Sequence, residues 1–165
     1  MKLSSNDFKN NQLLDSKFSL RGGNKSPHLK WEKAPPNTKS YAISCNDPDA
    51  PAGDWIHWLV INISKNITEI PQGGPIPGDQ LQTDFGKSGY GGPAPPSGTH
   101  RYVFKVYALD IDKLKGVNKV FTVLGRYDVV VELKTSNYKE VGSTVLMLGK
   151  IPGIVFTETL LEIQH

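Results

Sequence analysis

At 165 residues with 38% apolar side chains, the chain is large enough to enclose one sizeable core. Nineteen Lys and Arg against sixteen Asp and Glu leave a net charge of +3. No basic run is interleaved with aromatics, so neither nucleic acid nor an anionic membrane surface is indicated as a partner.

Residues 1–112 read as β-strands separated by long loops. Residues 40–45, Ser-Tyr-Ala-Ile-Ser-Cys, form a short strand. Residues 55–63 are nearly continuously apolar, as in a strand buried on both faces. Residues 70–97 are rich in Gly and Pro, and a loop of that length in a compact domain usually has a task. Residues 101–109 are rich in β-branched and aromatic side chains and form another strand. Strands without intervening helical periodicity predict an antiparallel β-sandwich.

From residue 113 the pattern changes. Apolar runs at 119–124 and 127–133 flank Gly125-Arg126 and predict a hairpin. Tyr138, Val141, Val145, Leu146 and Leu148 approximate one helical face, with Ser136 or Asn137 as its N-cap. Ile151-Pro152-Gly153 ends that helix, and 154–163 gives a last strand. The expected organisation is a mainly β chain, with a sandwich domain over 1–112 and a ββαβ segment over 113–165.

Cys45 is the single cysteine, so no internal disulfide can form and a reducing compartment is expected. Residues 1–7 lack the apolar stretch of a secretory signal, and no segment reaches membrane-spanning length. The expectation is a cytoplasmic protein with no membrane insertion.

The chemistry concentrates at three junctions between stiff turns and strands. Asp47-Pro48-Asp49-Ala50-Pro51 precedes Trp55-Ile56-His57-Trp58, and Gly89-Tyr90-Gly91-Gly92-Pro93 leads on to His100-Arg101-Tyr102. By strand alternation His57 lies with Trp55, Leu59 and Ile61, and His100 with Tyr102, Phe104 and Val106. A half-buried imidazole at the rim of an apolar face needs a partner, and Asp47 and Asp49 are the candidates. A carboxylate on one ring nitrogen fixes the tautomer and leaves the other N–H for an incoming anion. Gly91-Gly92 and Ser97-Gly98 would let backbone N–H groups approach a phosphate.

Rival readings stay open at this level. Asp-Pro-Asp-Ala-Pro makes a good turn without any ligand. Two His and two Asp could hold a metal, but their spacing fits no tight ligand motif. Hydrolytic signatures are absent: there is no Gly-x-Ser-x-Gly elbow, Walker loop or dinucleotide fingerprint. Ser97 needs no catalytic role, and Cys45, followed by acidic residues, reads as a small core residue.

Residues 18–110 resemble the phosphatidylethanolamine-binding protein family, known also through Raf kinase inhibitor protein. Ser26-Pro27-His28-Leu29-Lys30-Trp31 is similar to the Ser-Pro-Pro-Leu-x-Trp of its bacterial and archaeal branch, with His28 in place of Pro. Asp47-Pro48-Asp49-Ala50-Pro51 with Trp55-x-His57 resembles its first signature. Asp84-Phe85-Gly86, Gly89-Tyr90-Gly91-Gly92-Pro93, Pro95-Pro96 and His100-Arg101-Tyr102 resemble its second. The resemblance implies a Greek-key-like sandwich with an anion pocket formed by Asp47, His57, His100 and Tyr102. Asp49, Pro51, Trp55, Gly92 and Pro95 would shape its wall, with a cis peptide at Ala50-Pro51. It further implies binding of a phosphate-bearing small molecule or phospholipid headgroup, and, as in some members, regulation of a kinase or other signalling protein partner; the leading expectation is a non-catalytic binding module with no cofactor or metal. Binding would weaken as the imidazoles lose charge at high pH. An acid–base hydrolase or lyase, and an interaction protein with a vestigial pocket, are the alternatives.

Residues 114–163 resemble instead part of the effector-binding domain of Lrp/AsnC-type regulators. The similar residues are Gly116-Val117, Gly125-Arg126-Tyr127-Asp128, Lys150-Ile151-Pro152-Gly153-Ile154 and Thr157-Glu158-Thr159-Leu160-Leu161. No helix-turn-helix precedes them, so DNA binding is not implied. A partial copy would leave a sheet edge open, and either packing onto the sandwich or a homodimer would cover it.

Overall fold

The computed structural model describes residues 1–110, 112–113, 116–122, 129–133 and 145. Two antiparallel sheets enclose the main core. The smaller has the order β1 (Lys2–Ser4), β2 (Leu29–Glu32), β5 (Glu69–Ile70). The larger has the order β6 (Asp79–Gln80), β4 (Trp55–Ser64), β3 (Ser40–Asp47), β7 (Val103–Leu109). Strand β8 (Val117–Thr122) pairs with β9 (Val129–Leu133), as the runs around Gly125-Arg126 predict. The chain is thus mainly β. The expected helix and final strand lie outside the described residues, apart from Val145, whose backbone is helical.

Leu29, Trp31 and Ile70 of the smaller sheet pack on Tyr41, Ile43, Cys45, Trp58, Val60 and Ile63 of the larger. Trp31 meets Tyr41 edge to face with centroids 5.3 Å apart. The other face of the larger sheet is also apolar, with Ala42, Ile61 and Leu81 buried on it. Apolar cover on both faces explains why β4 reads as a continuous run rather than an alternation.

Two bulges disturb the β3–β4 register. Tyr41 opposes Ile63 but Ile43 opposes Val60, so β4 carries an extra residue, and Asn62 there has a φ of 59°. The second matters more. Cys45 opposes Trp58 while Asn46 opposes Ile56, which leaves His57 as the unmatched residue. Ile56, His57 and Trp58 are consequently all buried, against the simple alternation expected of a strand.

The gap at 70–97 is less structureless than its composition suggests. It contains β6 and a bridge between Gln82 and Ser88. The cis X-Pro peptide among the described residues is Gly74-Pro75, and the expected cis bond at Ala50-Pro51 is trans.

His28, the departure from the family's Pro, ties the N-terminal segment down. Its Nδ1 accepts from the Asn6 N–H at 3.0 Å and its Nε2 donates to Glu69 at 3.0 Å. The His28 N–H donates to Asp7 at 2.6 Å, and the Ser5 hydroxyl donates to the His28 carbonyl. With Nδ1 committed as an acceptor, the tautomer is fixed with hydrogen on Nε2. His28→Ala should lower stability by about 1–3 kcal/mol, because the Asn6 N–H and the Glu69 carboxylate both lose a partner. An unchanged urea midpoint would show that these ring bonds contribute nothing.

Candidate functional site

Three strand ends coincide at one end of the larger sheet. Asp47 closes β3 opposite Trp55, which opens β4. Val103 opens β7 opposite Asn46. Sheet pairing therefore gathers Asp47, His57, His100 and Tyr102, although Asp47 and His100 are 53 positions apart in sequence.

Asp47 is buried and uses both carboxylate oxygens. Oδ2 accepts from His100 Nδ1 at 2.7 Å, and Oδ1 accepts from the Asp49 N–H at 2.9 Å. The second bond is the Asx-turn that the Asp-Pro-Asp motif suggests by itself. The turn and the imidazole contact are thus compatible, and one side chain makes both. The His100 side chain is 10% exposed.

His57 has a different kind of partner from the one expected. Its Nδ1 donates to the Gly91 carbonyl at 2.7 Å, and the Gly91 N–H donates back to the His57 carbonyl at 2.8 Å. Among the described residues no carboxylate bonds to this ring. Its plane stands edge-on to Phe85 and to Tyr102, with centroids 5.1 and 5.0 Å away. The residue is 3% exposed. Burial therefore holds the imidazole pKa below its ordinary value, against the Gly91 carbonyl and the Asp47 charge, which pull it upward.

The Tyr102 hydroxyl is buried and makes no hydrogen bond of ordinary geometry among the described residues. Burial first, then the charge of Asp47, pushes its phenol up to about 12, with the Ala94 backbone acting in the opposite sense. At neutral pH it is an O–H, and a buried hydroxyl without a partner is costly until something supplies one.

The flanking residues divide. Asp49 does not meet an imidazole. It accepts from Arg101 through the backbone N–H at 2.8 Å, Nε at 3.0 Å and Nη2 at 2.7 Å. That fork holds its carboxyl down to about 2. Trp55 stands edge-on to Phe85 with centroids 5.8 Å apart. Gly92 is buried, while Pro51 and Pro95 lie exposed on the flanking loops.

Phe85, Asn24 and the Gly91 carbonyl are the positioning groups that sequence reasoning did not single out. Asp84 Oδ2 accepts from the Ile56 N–H at 2.7 Å and so sets Phe85 against His57. A Cβ on Gly91 would sit 2.4 Å from the Phe85 ring, so glycine permits that contact. Asn24 donates to the Tyr90 carbonyl at 3.1 Å and accepts from the Gly92 N–H at 2.7 Å, which fixes the 90–92 segment. Asp84-Phe85-Gly86 was visible as a motif. Its link to His57 was not, since it runs through ring packing and backbone bonds.

Among the described residues no three His, Cys, Asp or Glu side chains are grouped as a metal site. The Cys45 thiol is buried, and desolvation pushes its pKa upward, which disfavours a thiolate nucleophile. No helix among the described residues is long and apolar enough to cross a membrane.

A two-sheet β-sandwich with a His/Asp/Tyr cluster at one end of the larger sheet defines the class of this protein. The profile of the phosphatidylethanolamine-binding protein family matches residues 4–142, and the chain belongs to that family. It is 45% identical over 128 residues to the UPF0098 protein YbhB of Escherichia coli, covering 69% of this chain and 81% of that protein. It is 40% identical over 127 residues to a UPF0098 protein of Methanothermobacter thermautotrophicus, covering 72% and 84%. The crystal structure of E. coli YbcL, described as a new member of the mammalian PEBP family, superposes with a TM-score of 0.64 at 38% identity, covering 68% of this chain and 78% of YbcL. The family match extends past residue 113 into the tail. The Lrp/AsnC resemblance of the tail finds no support in these comparisons, and most of its motif residues lie outside the described set.

Proposed function

We propose that the Asp47/His57/His100/Tyr102 cluster binds a phosphate-bearing group, either on a small molecule or on a phospholipid headgroup. One observation carries the reading: the buried, unpartnered Tyr102 hydroxyl lies in the same cluster as an imidazole clamped by Asp47 at 2.7 Å. The pair positions His100 Nε2, and Tyr102 offers a buried O–H with no hydrogen bond of ordinary geometry among the described residues. Both suit an oxyanion. Asp47 orients the ring and need not touch the ligand. The Asp49–Arg101 fork stiffens the turn on one side and the Gly91-Gly92 segment on the other. Control of a kinase or other signalling partner would then be a consequence of ligand occupancy at this surface.

Calorimetric titration of the full chain with phosphorylethanolamine and with inorganic phosphate tests the reading. Saturable binding is expected, and His100→Ala should weaken it about 10- to 100-fold, the worth of one charge-assisted hydrogen bond. Absence of binding by either compound would displace this reading in favour of a pure interaction protein. Turnover of a phosphoester that disappears in His57→Ala would favour the hydrolase alternative.

A further inference from the structure

His28 stands where the family motif has proline, and it takes no part in the Asp47/His57/His100/Tyr102 cluster. Its ring holds the N-terminal segment by a bond that one proton can break. A backbone N–H can only donate. The 3.0 Å contact from the Asn6 N–H to His28 Nδ1 therefore exists only while that nitrogen is a bare lone pair. A neutral imidazole carries one hydrogen, so here it sits on Nε2 and is donated to Glu69 Oε1 at 3.0 Å.

A second proton has one place to go, Nδ1, and there it would set a donor against the Asn6 N–H. The charged groups around the ring are Glu69, Lys30 and Asp7. Glu69 on β5 touches Nε2, and Lys30 on β2 reaches the other Glu69 oxygen at 3.5 Å. Asp7 bonds the backbone and not the ring: it accepts from the His28 N–H at 2.6 Å, and from the Gln72 amide. The Asn6 side-chain nitrogen lies 3.4 Å from Nε2 and, as a donor, does not compete with Glu69. His28 first, and then Lys30, hold the Glu69 carboxyl below its ordinary value against desolvation. Glu69 is therefore ionised through the range in which an ordinary imidazole titrates. It also pairs through its own strand with Lys30, so it stays beside the ring whether or not the N-terminal segment is seated. A protonated ring thus keeps Glu69 as a partner and loses Asn6.

The segment held in this way covers part of the sandwich. The Ser5 hydroxyl donates to the His28 carbonyl at 2.6 Å. Phe8 packs on the main core, with its ring centroid 5.5 Å from that of Phe104. Phe104 lies two residues past Tyr102. We propose that His28 is a proton-operated latch: residues 5–8 are seated on the sandwich while its ring is neutral and loosen when Nδ1 takes a proton, uncovering the Phe104 flank of β7. Seating needs the neutral ring, so it is complete at high pH. It is lost as pH falls through the titration of the ring, by up to about tenfold per pH unit. Proline at this position offers no ring acceptor, so the latch is a property of His28 and not of the motif around it.

NMR of the full chain between about pH 8 and pH 5.5, a range that spans the ordinary imidazole titration, tests the latch. The Asn6 amide and the Phe8 and Phe104 rings should move together as pH falls, with the same midpoint as the His28 ring. In His28→Asn the side-chain oxygen can accept from the Asn6 N–H in place of Nδ1 but does not titrate. Residues 5–8 of that variant should therefore stay seated across the whole range. Release of residues 5–8 at the same pH in His28→Asn would overturn the proposal, because another group would then be responsible. Two results on the unmodified protein would overturn it equally, whether or not the variant folds. One is an Asn6 amide that stays unmoved while the His28 ring titrates. The other is a ring that remains neutral down to pH 5.5, since the latch would then never open. At pH 8 the ¹⁵N shift of His28 Nδ1 should be that of an unprotonated nitrogen, and a protonated shift there would contradict the tautomer on which the latch depends.

Discussion

Replacing Asp47 with Ala should lower stability by about 3 kcal/mol and abolish phosphate binding in the same variant. Both carboxylate oxygens are used, one by His100 and one by the Asp49 N–H. Alanine satisfies neither. His100 would keep its place in a site that is 90% shielded but would lose the partner that fixes its tautomer. Removing one member of a buried pair costs more than the pair contributes, because the other member stays desolvated. The turn at Asp47-Pro48-Asp49 would lose its Asx bond as well, and with it the base on which Asp49 meets Arg101. Urea unfolding and phosphate titration of the same sample check both parts. A stability loss below about 1 kcal/mol, within the range of an ordinary hydrogen bond, would mean that the pair does not hold this end of the sheet.

Gly92→Ala should be comparably severe, for a steric reason. A Cβ at this position would lie 2.1 Å from the Phe18 carbonyl oxygen, 2.6 Å from the Ser19 carbonyl carbon and 2.7 Å from the Leu20 nitrogen. All of these are backbone atoms, so no side chain can swing aside. The contact is also fastened: Leu20 N–H donates to the Pro93 carbonyl at 3.0 Å, and Gly92 N–H donates to Asn24 at 2.7 Å. Relief would have to come from moving the 90–93 segment, which carries the Gly91 carbonyl that holds His57. A stability loss of about 3 kcal/mol, at the upper end for overpacking, should come with displaced His57 ring signals. Gly98→Ala is the control. Gly98 has a φ of 66° but nothing within 4 Å of its would-be Cβ, so only local backbone strain of about 1 kcal/mol is expected. Equal losses in the two variants would contradict the account of Gly92 as a packing contact.

The sequence carried more of the site's membership than of its wiring. Asp47, His57, His100 and Tyr102 all lie at turn–strand junctions, and those junctions meet because β3, β4 and β7 pair in consecutive register. That pairing follows from strong apolar runs, which are legible. The partners of the imidazoles are not. His57 is the extra residue of a bulge, and period-two reasoning cannot place a residue that has no cross-strand mate. Its partner is a backbone carbonyl 34 residues further on, with no side chain to announce it. Asp49 was expected beside an imidazole because its own preference for an arginine fork depends on where Arg101 lands. The two-residue strands β5 and β6 were invisible for a related reason: each is defined by the neighbour it pairs with, Leu29–Lys30 and Val60–Ile61, rather than by any periodicity of its own.

If His57 and His100 belong to one phosphate-binding cluster, both rings must report the same ligand. An NMR titration with inorganic phosphate that follows both imidazole rings tests it most directly. Saturable shifts at both rings with a common dissociation constant are expected, and in His57→Ala the shift of the remaining His100 ring should be lost. Rings that stay unmoved at millimolar phosphate, or rings that titrate with different constants, would contradict it.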